Sequence, residues 1–111
     1  MDRIEFYAAI IRRLLDEYVE MLPPEEGLEI ERIYDNTRHH YELLYLGWEK
    51  LRRVHGCILH LDIRDGKIWI QHDGTEDGIA LRLMEEGVPR DQIVLAFHPP
   101  YKRPDTGFAA A

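Results

Sequence analysis

The chain of 111 residues has one cysteine, Cys57, and few basic residues for its acid content. It also has no long apolar run. A single thiol forms no internal disulfide and anchors no thiolate metal site alone. Without the 18–20 apolar residues or so that cross a bilayer, no membrane span is expected. Met1-Asp2-Arg3-Ile4-Glu5 lacks the charged-then-apolar pattern of a signal peptide, so a cytoplasmic setting is expected. Lys and Arg total 14 against 21 Asp and Glu, a formal net charge of −7. Phosphate contacts need clustered Lys and Arg, so this balance argues against a free-standing nucleic-acid binder.

What is present is a folding composition. The hydrophobic fraction is 45% and the aromatic fraction 10%, well above a disordered chain. The length suits one core, so residues 1–111 read as a single domain.

Ile4, Tyr7, Ala8, Ile11, Leu14, Leu15, Tyr18 and Leu22 recur every three or four residues. This spacing predicts an amphipathic helix from residue 3 to about 22. Asp2 caps it with Glu5, and Pro23-Pro24 ends it. Strands are predicted over Leu28–Tyr34, Tyr41–Trp48 and Val54–Ile63, with turns at Asp35-Asn36-Thr37 and Glu49–Arg53. The Tyr41–Trp48 run is apolar on both alternation sets, which predicts cover on both faces.

Asp65-Gly66 is the strongest local signal, since a two-residue Asp-Gly loop selects a type I′ hairpin. Counting back from it, Asp62 opposes Trp69, His60 opposes Gln71 and Leu59 opposes His72. Leu59, Leu61, Ile63, Ile68 and Ile70 then line a core face. His60, Asp62, Trp69 and Gln71 line the other, a polar contact surface with one large aromatic.

A second helix is predicted over about 76–86, with Thr75 as N-cap and Gly87 as terminator. Ile93–Phe97 reads as a last short strand or packed extended segment. Tyr101–Ala111 reads as an extended tail, frayed or clasping a partner. The expected fold is α+β, an antiparallel sheet of about four strands with two helices.

Six histidines raise the question of a metal. His39 and His40, adjacent on a strand, point to opposite faces. His55, His60 and His72 match no metal spacing. His72, Asp73 and Asp77 could meet at the strand-to-helix corner, the basis for an alternative reading as a small enzyme or metal protein. Their plainer reading is that Asp73 and Thr75 organise the turn and cap the helix. The Asp73–Gly78 loop resembles a phosphate loop only in its glycines: no Gly-Lys-Ser/Thr follows. Cys57 with His55 could form a nucleophile–base pair, but a structural thiol is the simpler reading. No catalytic residue, cofactor or metal is therefore assigned.

The stretch from Asp16 to Glu31 contains no Lys or Arg. It reads as a solvated face, or as one that meets a basic partner.

Specific runs carry a family resemblance: Arg53-Val54-His55-Gly56-Cys57; Asp65 to Ala80, including Gln71-His72-Asp73-Gly74-Thr75-Glu76-Asp77-Gly78; Gly87-Val88-Pro89; and Phe97-His98-Pro99-Pro100. With the first helix and Asp35–Trp48 they make nearly the whole chain similar to the XisI family, the cyanobacterial fdxN-element excision controlling factors. The resemblance implies a role in the programmed DNA rearrangement of heterocysts, in which a recombinase excises an element from a nitrogen-fixation operon. It also implies a partner resembling XisH, a protein of nuclease-like fold. It carries over no catalytic residues. The expectation is a non-enzymatic controlling factor that reaches DNA only indirectly, through that partner; direct DNA binding by Arg38, Lys50, Arg52 and Arg53 is the alternative. Trp69, His60, Asp62, Gln71 and Trp48 are the candidate partner-binding residues, and the face bearing the tryptophans is expected to pair with a second subunit, in a homodimer or a heteromer.

Overall fold

The computed structural model describes residues 2–111. A helix, α1 (Arg3–Met21), precedes four antiparallel strands: β1 (Leu28–Asp35), β2 (His40–Glu49), β3 (Arg52–Arg64) and β4 (Lys67–Asp73). A short helix, α2 (Ile79–Glu85), crosses over to β5 (Ile93–Leu95), which pairs parallel to β4. The sheet order is β1-β2-β3-β4-β5. The fold is α+β as expected, with a fifth strand that is parallel. A crossover connection through α2 is what permits the parallel pairing.

α1 forms where the apolar spacing placed it. The Asp2 side chain accepts a bond from the Glu5 backbone N–H at 3.0 Å, satisfying one of the donors a helix start leaves unpaired. Tyr7, Ile11, Leu14 and Leu15 lie buried on Tyr41, Leu43, Leu59, Leu61, Ile68 and Ile70. Both helices contribute to one core cluster with the sheet. The opposite, outer face of the sheet carries Ile33, Glu42, Leu44, Leu46, Trp48, His55 and Cys57.

Within one chain only one face of β2 is fully covered, and the outer face is the one expected to meet a second subunit. Tyr41 and Leu43 are fully buried, whereas Leu44 and Leu46 are half-buried and Trp48 is 54% exposed.

Two bulges set which residues meet. In β3, Ile58 is an extra residue: Leu44 opposes Cys57, but Leu43 opposes Leu59. In β4, Gln71 is the extra residue: Leu61 opposes Ile70, but His60 opposes His72 and Leu59 opposes Asp73. The expected register is right from Arg64–Lys67 to Leu61–Ile70 and wrong beyond it. A bulge sets two residues against one and shifts all later partners. His60 and His72 are therefore cross-strand partners and do not lie on opposite faces. Asp65 and Gly66, at φ 53° and 76°, form the expected positive-φ hairpin turn.

The tail also differs from expectation. After His98-Pro99-Pro100 it folds back on its own chain through a short 3₁₀ turn, Arg103–Thr106. Ala109 bridges Val94, and the Ala109 N–H donates to Ile93 O at 2.9 Å. The Arg103 guanidinium donates to the carbonyls of His98 and Ala96 at 3.0 and 3.3 Å.

Candidate functional site

Polar side chains gather at two places on this frame. The first is Asp62, a charged residue only 5% exposed. Its Oδ1 accepts from His40 Nδ1 at 2.8 Å and from His60 Nε2 at 3.0 Å. Its Oδ2 accepts from Gln71 Nε2 at 3.2 Å, and an Arg64 guanidinium nitrogen stands 4.0 Å away. A carboxylate removed from water needs such partners, and here they are supplied. His40 reaches Asp62 only because of the Ile58 bulge; without the extra residue it would oppose Leu61.

Trp69 lies beside this hub, opposite Asp62 in the ladder. It is 9% exposed. Its indole N–H donates to Arg64 O at 3.0 Å. The guanidinium carbons of Arg64 and Arg103 sit 4.9 and 5.5 Å from the ring, within cation–π range. So the structure brings His60, Asp62, Trp69 and Gln71 together, as the hairpin reading placed them, but the chain's own tail covers the tryptophan. Trp48 lies at the far end of β2, with Arg53 5.6 Å from its ring.

The second hub is the corner after β4. Asp73 Oδ1 accepts from the Thr75 backbone N–H at 2.9 Å and from its hydroxyl at 2.5 Å. Asp73 Oδ2 accepts from the Ile79 N–H at 2.8 Å. Thr75 Oγ1 accepts from the Gly78 N–H at 3.2 Å. The plainer reading holds: Asp73 and Thr75 organise the turn. Helix α2 is shorter than expected and begins at Ile79, because Asp73 caps it from six residues back and Gly78 takes the N-cap position at φ 88°. Thr75 is thus a turn residue, not the N-cap. Both Asp73 oxygens are engaged, His72 and Asp77 are exposed, and the corner does not assemble as a ligand set.

Cys57 is also settled physically. Burial, with the Glu42 carboxyl beside it, pushes its thiol up to about 11. The thiol stays protonated near neutral pH, the opposite of an activated nucleophile.

Beside the Asp73 corner, a groove of about 480 Å³ runs between α1 and the 75–79 loop. Leu14, Tyr18, Met21, Leu22 and Ile79 give it an apolar lining, Glu17, Glu76 and Asp77 contribute carboxylates, and Arg82, paired with Glu17, contributes a cation. Met21 is 70% exposed. Not all of the basic-free stretch faces solvent unpaired. Asp16 binds Arg32 at 3.1 Å and accepts from the Tyr34 hydroxyl at 2.8 Å. Glu17 pairs with Arg13 and Arg82. Glu20, Glu25, Glu26, Glu29 and Glu31 remain exposed. Among the described residues, no helix is long and apolar enough to cross a membrane.

The chain is thus a two-layer α+β domain with one sheet face open, a groove beside the 75–79 corner and a protonated lone thiol. The comparisons name the family. The family model described as XisI protein matches residues 1–110, and the chain belongs to that family. A solved XisI-like protein from Anabaena variabilis ATCC 29413 is 37% identical, with a TM-score of 0.93 over 97% of this chain and 99% of that one. The fdxN element excision controlling factor XisI from the same organism is 36% identical, with a TM-score of 0.85 over 99% and 100%. No curated protein matches.

Proposed function

We propose that this chain is a non-enzymatic controlling factor of DNA element excision that acts by docking a basic, XisH-like partner. The observation that carries this reading is the acid-rimmed apolar groove between α1 and the 75–79 loop. Apolar floors with a charged rim suit protein recognition. Negative rim charge steers a basic partner and repels DNA. The family membership and the controlling-factor name of a relative support the setting.

The test is calorimetric titration of the chain with an XisH-like protein from its own genome. Met21→Glu and the double variant E76K/D77K are each expected to weaken binding at least about tenfold, since losing 1.4 kcal/mol suffices. These side chains are exposed or on a loop, so folding should persist. Absence of a complex, or a complex indifferent to both variants, overturns the reading. Salt-dependent retention of DNA by the chain alone would favour the direct-binding alternative.

A second reading concerns self-association. The outer sheet face leaves Trp48 54% and Ile33 38% exposed beside half-buried Leu44 and Leu46. Exposed apolar side chains grouped on one sheet face, here interspersed with Glu29, Glu31 and Glu42, suit an interface, and a second copy of the chain offers the same surface. Light scattering is expected to give twice the 13.1 kDa chain mass, and Trp48→Glu to halve it. A monomer in the parent protein overturns the dimer.

A further inference from the structure

We propose that His40, His60 and Asp62 bind a divalent transition metal ion, of the class that includes zinc and cobalt. Three potential ligand atoms, His40 Nδ1, His60 Nε2 and an Asp62 carboxylate oxygen, lie within 4.8 Å of one another. Both imidazoles aim at the same oxygen, at 2.8 and 3.0 Å. A tetrahedral ion with ligands 2.0–2.1 Å away separates its ligand atoms by about 3.3 Å. The two nitrogen–oxygen separations fall a few tenths of an ångström short of that spacing, and the two imidazole nitrogens lie within 4.8 Å of each other, so turning the rings from the shared oxygen toward a common point gives a coordination shell.

The donor set selects the ion. Two imidazole nitrogens and one carboxylate oxygen suit zinc, cobalt, nickel or copper, and suit magnesium or calcium poorly. Binding requires each imidazole to carry its proton on the far nitrogen, Nε2 of His40 and Nδ1 of His60. The surroundings resemble an outer shell. Gln71 Nε2 donates to the second Asp62 oxygen at 3.2 Å and so fixes the carboxylate plane. Such partners orient metal ligands. The Asp62 side chain is 7% exposed, while those of His40 and His60 are 53% and 31% exposed. The anionic ligand is thus anchored in the sheet, and the ion enters from the solvent side. Arg64 opposes the charge of the ion, but its guanidinium also lies against Trp69, at 4.9 Å, and has room to remain there. Three protein ligands leave a fourth position for water or for a donor from a bound molecule.

The cluster joins three strands' worth of chain. His40 begins β2, His60 and Asp62 lie in β3, and Gln71 lies in β4. An ion here would tie the first hairpin to the second at the end of the sheet that Trp69 occupies.

The experiment is cobalt(II) titration of the full, untagged chain, followed by visible absorption, with zinc(II) added afterwards as competitor. One ion per chain is expected, with the intense d–d bands of a four-coordinate site that zinc abolishes. His40→Ala and His60→Ala are each expected to weaken uptake by more than about tenfold, the lower bound for losing even an outer-shell partner. His72→Ala and His98→Ala should leave it unchanged. His40 is exposed, so its variant tests the site without a folding defect; urea midpoints of all variants verify this. Failure to bind cobalt overturns the proposal. So does uptake that survives both the His40 and the His60 substitution, or a spectrum of six-coordinate cobalt only.

Discussion

Trp69→Ala is expected to destabilise the chain by about 3–5 kcal/mol, the usual cost of removing a large buried aromatic. The loss combines three effects. The indole is nearly fully buried, its N–H bond to Arg64 O disappears, and two guanidinium groups lose the ring they lie against. Because Arg103 is one of them, the damage spreads to the tail. Urea unfolding measures the stability, and limited proteolysis locates the change, with cleavage expected after Leu95. Trp69→Phe retains the packing and loses the hydrogen bond, so about 1 kcal/mol is expected. A cost below about 1 kcal/mol for the alanine variant would mean that the tail does not rest on this ring.

Gly47→Ala is expected to cost at least about 3 kcal/mol, a value reached only when a substitution breaks a specific structural feature. Gly47 sits inside β2 at φ 149°. A Cβ there would lie 2.0 Å from Gly27 O and 2.9 Å from Leu28 Cα. Both obstacles are backbone, so no rotamer change relieves them. β1 must move away, which breaks the bond from the Trp48 N–H to Gly27 O, now 3.0 Å long. Gly56→Ala, where an added Cβ meets nothing within 4 Å, is the control and should fall within about 1 kcal/mol of the parent, as a strand glycine gives up little packing. Equal stabilities for the two variants would refute the argument.

Local signals made much of the fold readable. The Asp2 cap, the three-and-four spacing of α1 and the Asp65-Gly66 turn each involve residues close in sequence, and each appears in the structure as the sequence implies. The Asp73–Thr75 corner was readable for the same reason, although α2 starts three residues later than its composition suggested. The bulges were not readable. An extra residue at Ile58 or Gln71 has no compositional mark, yet it decides every partner beyond it. The Asp62 hub follows from that. Counting from the β2–β3 turn without a bulge sets His40 against Leu61, on the wrong face. Only the slipped register delivers it to Asp62. A glycine within an apolar run such as Tyr41–Trp48 often marks a close approach of backbones, and Gly47 does so here. The fold-back of the tail leaves no local mark because its anchors, Arg103 on Trp69 and Ala109 on Val94, are distant in sequence.

The five-stranded sheet has two open sides, and an unprotected side recruits strands from other molecules. This chain guards each differently. At β1, Glu29, Glu31, Arg32 and Asp35 place charge along the rim. At β5 only three residues could pair outward, and Ala109 already occupies that margin beside Val94. The refolded tail therefore acts as a stopper against fibrillar stacking. Its loss would leave a bare Ile93-Val94-Leu95 ribbon, and the charge of −7 would then be the remaining general defence against aggregation.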